Sequence, residues 1–313
     1  MMDAGGQLDP EIAEFSADQD RTFSAAFYAQ PVPAQRADYD RFWRRFHAPR
    51  PAGIGAEDRM LSLPGRQIAI RIYRPERAAG PLPVILYYHG GSWIFGGLDS
   101  HDLPTARLAA ITGAAIVSVD YRLAPEHKHP AALDDAWDSL AWVIDAAPQL
   151  GFDPQRIVVA GDSAGGALAA GVALRARDRG GPALRGQGLI YPCLRPTRVD
   201  GAVFSPGLDE TALASAFKAY FATPRDSQDP YAMPLLAKSF ANLPPAIICA
   251  AECDVLLADA CAYAAALDQA GTASHLIIAK GLPHTFLRAL HMCGAASRAF
   301  EDFGRELAAL LRN

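Results

Sequence analysis

The 313-residue sequence predicts an α/β fold: a central, mostly parallel, eight-stranded sheet with helices on both faces and a helical cap. Three observations predict it. From about residue 59 to the end of the chain, short apolar runs rich in β-branched residues alternate with longer segments of helical period. The runs Val84-Ile85-Leu86-Tyr87-Tyr88 and Ala115-Ile116-Val117-Ser118-Val119 are nearly continuous in apolar residues, as parallel strands covered on both faces must be. Two stretches, 1–50 and roughly 195–233, break the alternation and carry aromatics, so they read as additions over the strands' carboxyl ends, where ligands bind.

In chain order, residues 1–50 have helical patterning without a strand, with Phe42, Trp43 and Phe46 on it, and form the first part of the expected cap. Met1 to Gly6 shows no basic region before an apolar core and does not read as a secretory signal. The first core part, 51–194, should hold strands near 59–63, 67–73, 83–88, 114–119, 156–161 and 187–191. Its helices fit at about 102–113, with Asp99, Ser100 or Asp102 as N-cap, then 131–147 and 163–179. The insertion at 195–233 carries Phe204, Phe217, Tyr220 and Phe221. In the second core part, 234–313, strands are expected near 245–251 and 274–279. Helices follow at 255–270, stopped by Gly271, and at 293–312.

Half the residues are hydrophobic and a fifth charged, which excludes a disordered, collagenous or coiled-coil chain. With 29 Lys and Arg against 34 Asp and Glu, and no local basic run, nucleic acid is not the expected partner. The longest apolar-plus-glycine run, Ala164 to Leu174, spans 11 residues, short of the ~18 of a membrane span. A cytoplasmic protein without a membrane partner is the default expectation. Five cysteines without a C-x-x-C pair are too few for a disulfide framework in so long a chain, and most should be buried thiols.

The strongest chemical signal is Gly161-Asp162-Ser163-Ala164-Gly165, a G-x-S-x-G turn between an expected strand and an alanine-rich helix. A nucleophilic hydroxyl must stand clear of its own backbone, so the turn is sharp and its small flanking residues let strand and helix approach. The helix behind it aims its amides and positive dipole end at charge developing beside the hydroxyl. A serine hydroxyl needs a base, and the base an orienting carboxylate. Three histidines follow Ser163. His275 begins a strand and His291 lies near the start of the last helix, which leaves His284, in the loop after the final strand, as the base. Asp254 follows the preceding strand and is favoured as the acid. Glu252 competes, because a two-residue register error would exchange them. Attack on a carbonyl also needs amide donors for an oxyanion. His89-Gly90-Gly91-Ser92-Trp93 follows the strand at 83–88, so the N–H groups of Gly90, Gly91 and Ala164 are the expected hole.

Set in order, these motifs resemble the bacterial hormone-sensitive-lipase-like esterases of the α/β-hydrolase fold. The likeness runs from about residue 60 to 290. It includes Asp120-Tyr121-Arg122-Leu123-Ala124-Pro125-Glu126 with Pro130-Ala131-Ala132-Leu133-Asp134-Asp135, Asp254-Val255-Leu256 and Pro283-His284-Thr285-Phe286. It implies hydrolysis of small carboxylic esters with short or medium acyl chains, by Ser163, Asp254 and His284, without metal or organic cofactor. Ser92 and Thr285 depart from the family, which often has glycine at both places. His127 and His129 have a His-x-His spacing but no further ligands nearby, so a metal site is not expected. Asp120 and Arg122 read as an ion pair fixing their loop, and Asp162 as a residue shaping the nucleophile turn. Amide, lactone or carbamate hydrolysis, and a ligand-binding receptor that has lost turnover, are the rival functions. The natural ester and the oligomeric state, a homodimer included, stay open.

Overall fold

The computed structural model describes residues 7–78, 80–196 and 205–312. Helices α1 (Pro10–Thr22), α2 (Ala25–Tyr28) and α3 (Val32–Arg44) come first. Strands β1 (Ile54–Leu63) and β2 (Arg66–Pro75) follow as an antiparallel pair. The parallel part comprises β3 (Leu82–Tyr88), β4 (Ala115–Asp120), β5 (Phe152–Asp162), β6 (Gly186–Ile190), β7 (Ala246–Cys253) and β8 (Ser274–Pro283). The eight form one sheet ordered β1-β2-β4-β3-β5-β6-β7-β8, with β2 antiparallel to β4. Every expected strand is present. Several run longer than expected, β1 by five residues at its start, because the pairing to β2 continues through part-buried and exposed positions, Ile54 to Asp58, that form no sustained apolar run.

Helices α4 (Asp102–Thr112), α5 (Ala131–Leu150), α6 (Ala164–Asp178), α8 (Leu257–Gln269) and α9 (Gly294–Arg312) cover the sheet, and α7 (Glu210–Tyr220) lies in the second insertion. Alternation along the strands sorts the core into two layers. Val84, Leu86, Val117 and Val159 pack with Leu140, Leu168 and Leu267 from α5, α6 and α8. Ile85, Tyr87, Ile116 and Val158 face the other way, toward α4, α9 and the N-terminal helices. Ile12, Phe15, Phe42 and Trp43 are buried in this second layer, so α1 and α3 are bound to the core by their apolar faces. Phe204 and the rest of 197–204 lie outside the described residues.

Two local expectations are corrected. The N-cap of α4 is His101, and Ser100 instead turns its hydroxyl to the Gly97 carbonyl at 3.0 Å. Arg122 does not pair with Asp120. Its guanidinium and N–H go to the fully buried Asp135, at 2.9 Å, which Arg66 also reaches, so the partner comes from α5 and not from the neighbouring loop residue. His129 hydrogen-bonds Asp229 at 2.9 Å and lies 3.2 Å from the Tyr220 hydroxyl, a tie between the α5 entrance and the second insertion. All five cysteines are free thiols, and four of them are buried.

Candidate active site

The sheet order brings the site together. β3 and β5 are neighbours, with Tyr88 opposite Gly161, so the turns leaving their carboxyl ends, His89-Gly90-Gly91 and Asp162-Ser163-Ala164, emerge side by side. The contact is between backbones. A Cβ on Gly165 would stand 1.9 Å from the Tyr88 carbonyl oxygen, so only glycine fits there. Ser163 takes φ +53, left-handed and strained for a residue with a side chain, and its N–H is held by the Ile190 carbonyl at 2.9 Å.

His284 follows directly on β8, and Asp254 directly on β7. His284 Nε2 lies 2.9 Å from Ser163 Oγ, and its Nδ1 lies 2.7 Å from Asp254 Oδ2. Both side chains are almost wholly buried, and the other Asp254 oxygen accepts the Leu256 N–H at 2.9 Å. The Tyr191 ring packs on the imidazole at 4.6 Å. Glu252 points elsewhere, bonded to Lys280 at 2.6 Å and to the Gly281 N–H at 2.8 Å. His275 lies beside Glu306, on β8 and away from Ser163, and His291 stands just before α9.

The expected amide cradle needs one correction. The Gly90 N–H donates to Asp162 Oδ1 at 2.9 Å, so it is turned into the protein and is not presented to a bound oxyanion. Gly91, Ser92 and Trp93 all have positive φ, of +121, +58 and +59, and this left-handed run curls the chain around their amides. A Cβ on Gly91 would meet the Phe95 carbonyl at 2.2 Å. Among the described residues no acceptor meets the N–H of Gly91, Ser92 or Ala164.

Beneath this turn lies a polar cluster. Asp162 accepts from the Tyr87 hydroxyl at 2.7 Å, and His101 Nε2 lies 3.3 Å from its second oxygen. Arg288, buried just past His284, reaches His101 at 3.0 Å and the Tyr39 hydroxyl at 3.2 Å, and its guanidinium sits 4.8 Å over the Trp43 ring. Burial by itself would raise the Asp162 carboxyl. His101, Arg288 and the Tyr87 hydroxyl outweigh it and hold the group below the usual carboxylate range. Burial, with Arg288 adding to it, pushes His101 down. His89, fully buried beside His101, is pushed down to about 3 by its burial. The sequence signals Asp162 and His89, which lie in its motifs, whereas His101 and Arg288 belong to none.

The cleft over Ser163 is roofed by Phe23, Phe27, Tyr28 and Tyr39 from the first 50 residues and by Leu208 from the second insertion. The two stretches touch each other. The Gly207 N–H donates to Asp20 at 2.6 Å.

The chain is similar to a known family and to several proteins of known structure. The Abhydrolase_3 family, described as an alpha/beta hydrolase fold, matches residues 85–288. The carboxylesterase NlhH of Mycobacterium tuberculosis is 43% identical over 267 residues, covering 82% of each chain. An ethyl acetate hydrolase of Pseudomonas putida is 39% identical over 232 residues, covering 72% of this chain and 73% of its own. Among solved structures, a thermostable esterase from Pseudomonas putida superposes with a TM-score of 0.92 at 29% identity, covering 98% of both chains. A hyperthermophilic esterase from the archaeon Pyrobaculum calidifontis gives 0.90 at 34% identity, covering 97% of this chain and 98% of its own. The chain belongs to the hormone-sensitive-lipase-like esterases of the α/β-hydrolase fold and is a carboxylic ester hydrolase.

Proposed function

We propose that the protein hydrolyses short- to medium-chain carboxylic esters of small molecules through an acyl-enzyme on Ser163. The observation that carries this reading is the unbroken contact from Ser163 Oγ through the His284 ring to Asp254, at 2.9 and 2.7 Å. Ser163 attacks the ester carbonyl while His284 Nε2 takes its proton. Asp254 holds the Nδ1–H tautomer and stabilises the imidazolium that forms. His284 then protonates the departing alkoxide, and in the second half it draws a proton from the water that releases the acid. The tetrahedral oxyanion is received by the amides of Gly91 and Ala164, with Ser92 in place of Gly90. Asp162 serves as the anchor that keeps the Gly90 peptide, and so the whole turn, in register. No step calls for a metal or an organic cofactor.

The segments 1–50 and 195–233 act as the cap of this site. Aromatic rings of the first segment and Leu208 of the second line the cleft, and the apolar faces of both bind the core. A cytoplasmic location fits the five free thiols. Among the described residues no helix is long and apolar enough to cross a membrane. The test is turnover of p-nitrophenyl esters of graded chain length by wild type and Ser163→Ala, with organophosphate labelling followed by mass spectrometry. Loss of both turnover and label in the variant is the expected result, and unchanged turnover overturns the reading. Equal rates on an ester and its matched amide would favour the amidase alternative, since an amine leaves less readily than an alkoxide.

A further inference from the structure

The loop that carries His284 is also where the N-terminal helices are fastened to the core. The Asp9 N–H donates to the Gly281 carbonyl at 2.9 Å, and Glu11 accepts the Gly294 N–H at 2.7 Å, so the start of α1 is tied on both sides of the loop. Near the other end of α1, Gln19 is 1% exposed although its side chain is polar, and its Oε1 accepts a hydrogen bond from Thr285 Oγ1 at 2.9 Å. Thr285 directly follows His284. It is β-branched yet has φ +67, a conformation that glycine adopts freely and threonine adopts only when its surroundings compel it. The rest of the Gln19 carboxamide fills the space beside Gly207, where a Cβ would lie 2.0 Å from Nε2. One amide therefore touches the histidine loop and the second insertion together. Gln19, Thr285 and Gly207 all line the cleft with Ser163 and His284.

We propose that Gln19 and Thr285 are positioning residues: their hydrogen bond registers the α1 wall of the cleft against the loop bearing His284, and so limits the acyl length that is turned over. The proposal rests on the reading of Ser163, His284 and Asp254 given above. A threonine that only filled space would gain nothing from an uncomfortable backbone, whereas one that must present a hydroxyl to Gln19 at this point does. Loss of the hydroxyl frees the wall to retreat, so longer chains gain relative to acetate, and the loop bearing the imidazole loses a restraint, so kcat falls.

The experiment measures kcat and KM on p-nitrophenyl acetate, butyrate, hexanoate and octanoate, with melting temperatures, for Thr285→Gly, Thr285→Val, Thr285→Ser, Gln19→Leu and the double variant Gln19→Leu/Thr285→Val. Thr285→Gly removes the hydroxyl while keeping the left-handed backbone at ease, and Thr285→Val removes it at nearly constant shape, so the pair tests the idea even if Gln19→Leu folds poorly. A neutral hydrogen bond of this kind predicts a fall of about threefold to tenfold in the acetate-to-octanoate ratio of kcat/KM for Thr285→Gly and Thr285→Val. The double variant should be no worse than the poorer single variant, and Thr285→Ser should stay within about twofold of wild type. Wild-type selectivity and kcat in Thr285→Gly, or effects of the two single variants that simply multiply, would overturn the proposal. Persistent organophosphate labelling at Ser163 in all these variants keeps that outcome separate from a failure of the catalytic assignment, which would show as absence of label in wild type.

Discussion

Replacing Asp254 by Asn and, separately, Glu252 by Gln tests the choice between two carboxylates two residues apart. Asp254 stands 2.7 Å from His284 Nδ1 with both groups shielded from water, so the charged acceptor fixes which ring nitrogen carries the hydrogen. An asparagine of the same shape can turn its NH₂ toward the ring. The hydrogen then moves to Nε2, and the nitrogen 2.9 Å from Ser163 Oγ can no longer accept a proton. The wrong tautomer costs about 10⁴ in kcat in a site of this design, which corresponds to about 5.5 kcal/mol of barrier. Glu252→Gln loses the ion pair with the exposed Lys280 while its amide oxygen can still accept the Gly281 N–H, a change worth up to about 1 kcal/mol of stability. Its kcat should stay within about threefold of wild type. Initial rates on p-nitrophenyl acetate, normalised by organophosphate titration of active sites, read both. An Asp254→Asn enzyme within tenfold of wild type, or a Glu252→Gln enzyme equally crippled, would refute the assignment.

Gly91→Ala must displace the Phe95 carbonyl, 2.2 Å from the new methyl, and should lose about 10² to 10³ in kcat with a nearly native circular-dichroism spectrum. A fully active variant would show that the hole lies elsewhere. Asp162 is held below its unfolded value near ~3.9, so the stability it confers is full above that value and fades as pH falls through it toward the lower folded value. Asp162→Asn should therefore lower stability by about 3 kcal/mol at pH 7 in urea titrations and flatten the loss of wild-type stability between pH 5 and 3. Equal urea midpoints at pH 7 would contradict this. Phe303→Ala, which opens a fully buried site where α9 meets β6, should cost about 3 to 5 kcal/mol in the same assay, without altering KM in the folded enzyme. Deleting residues 1–45 should change chain-length preference and expose apolar surface to a fluorescent dye, and unchanged selectivity would argue against their role as a cap.

The strands were legible because each buried one announces itself by a run of apolar residues. The three residues that meet in the candidate site were legible because each follows such a run: Ser163 after β5, Asp254 after β7, His284 after β8. The direction of a peptide was not legible. Whether Gly90 offers its N–H to a ligand or to the protein depends on Asp162, 72 residues away, and on His101, and no spacing rule connects them. The partner of Arg122 is hidden from the sequence for the same reason. A neighbour in sequence looked convenient, but the buried carboxylate of Asp135 arrives from α5 and leaves Asp120 near His89, at 3.9 Å. Arg288 and Gln19 could not be singled out at all, because each acts only through groups that folding delivers from distant segments.

The fit of Gly165 against the Tyr88 carbonyl divides the molecule into a part that cannot drift and a part that can. The two turns that carry the candidate site meet main chain to main chain, so their glycines have no replacement, and a change on either turn is felt at once by the other. The rings overhead are held by side-chain packing, which admits exchange one residue at a time. Variation in what such an enzyme consumes is therefore free to accumulate in the roof while the floor stays as it was, and libraries meant to alter substrate range should be confined to the roof.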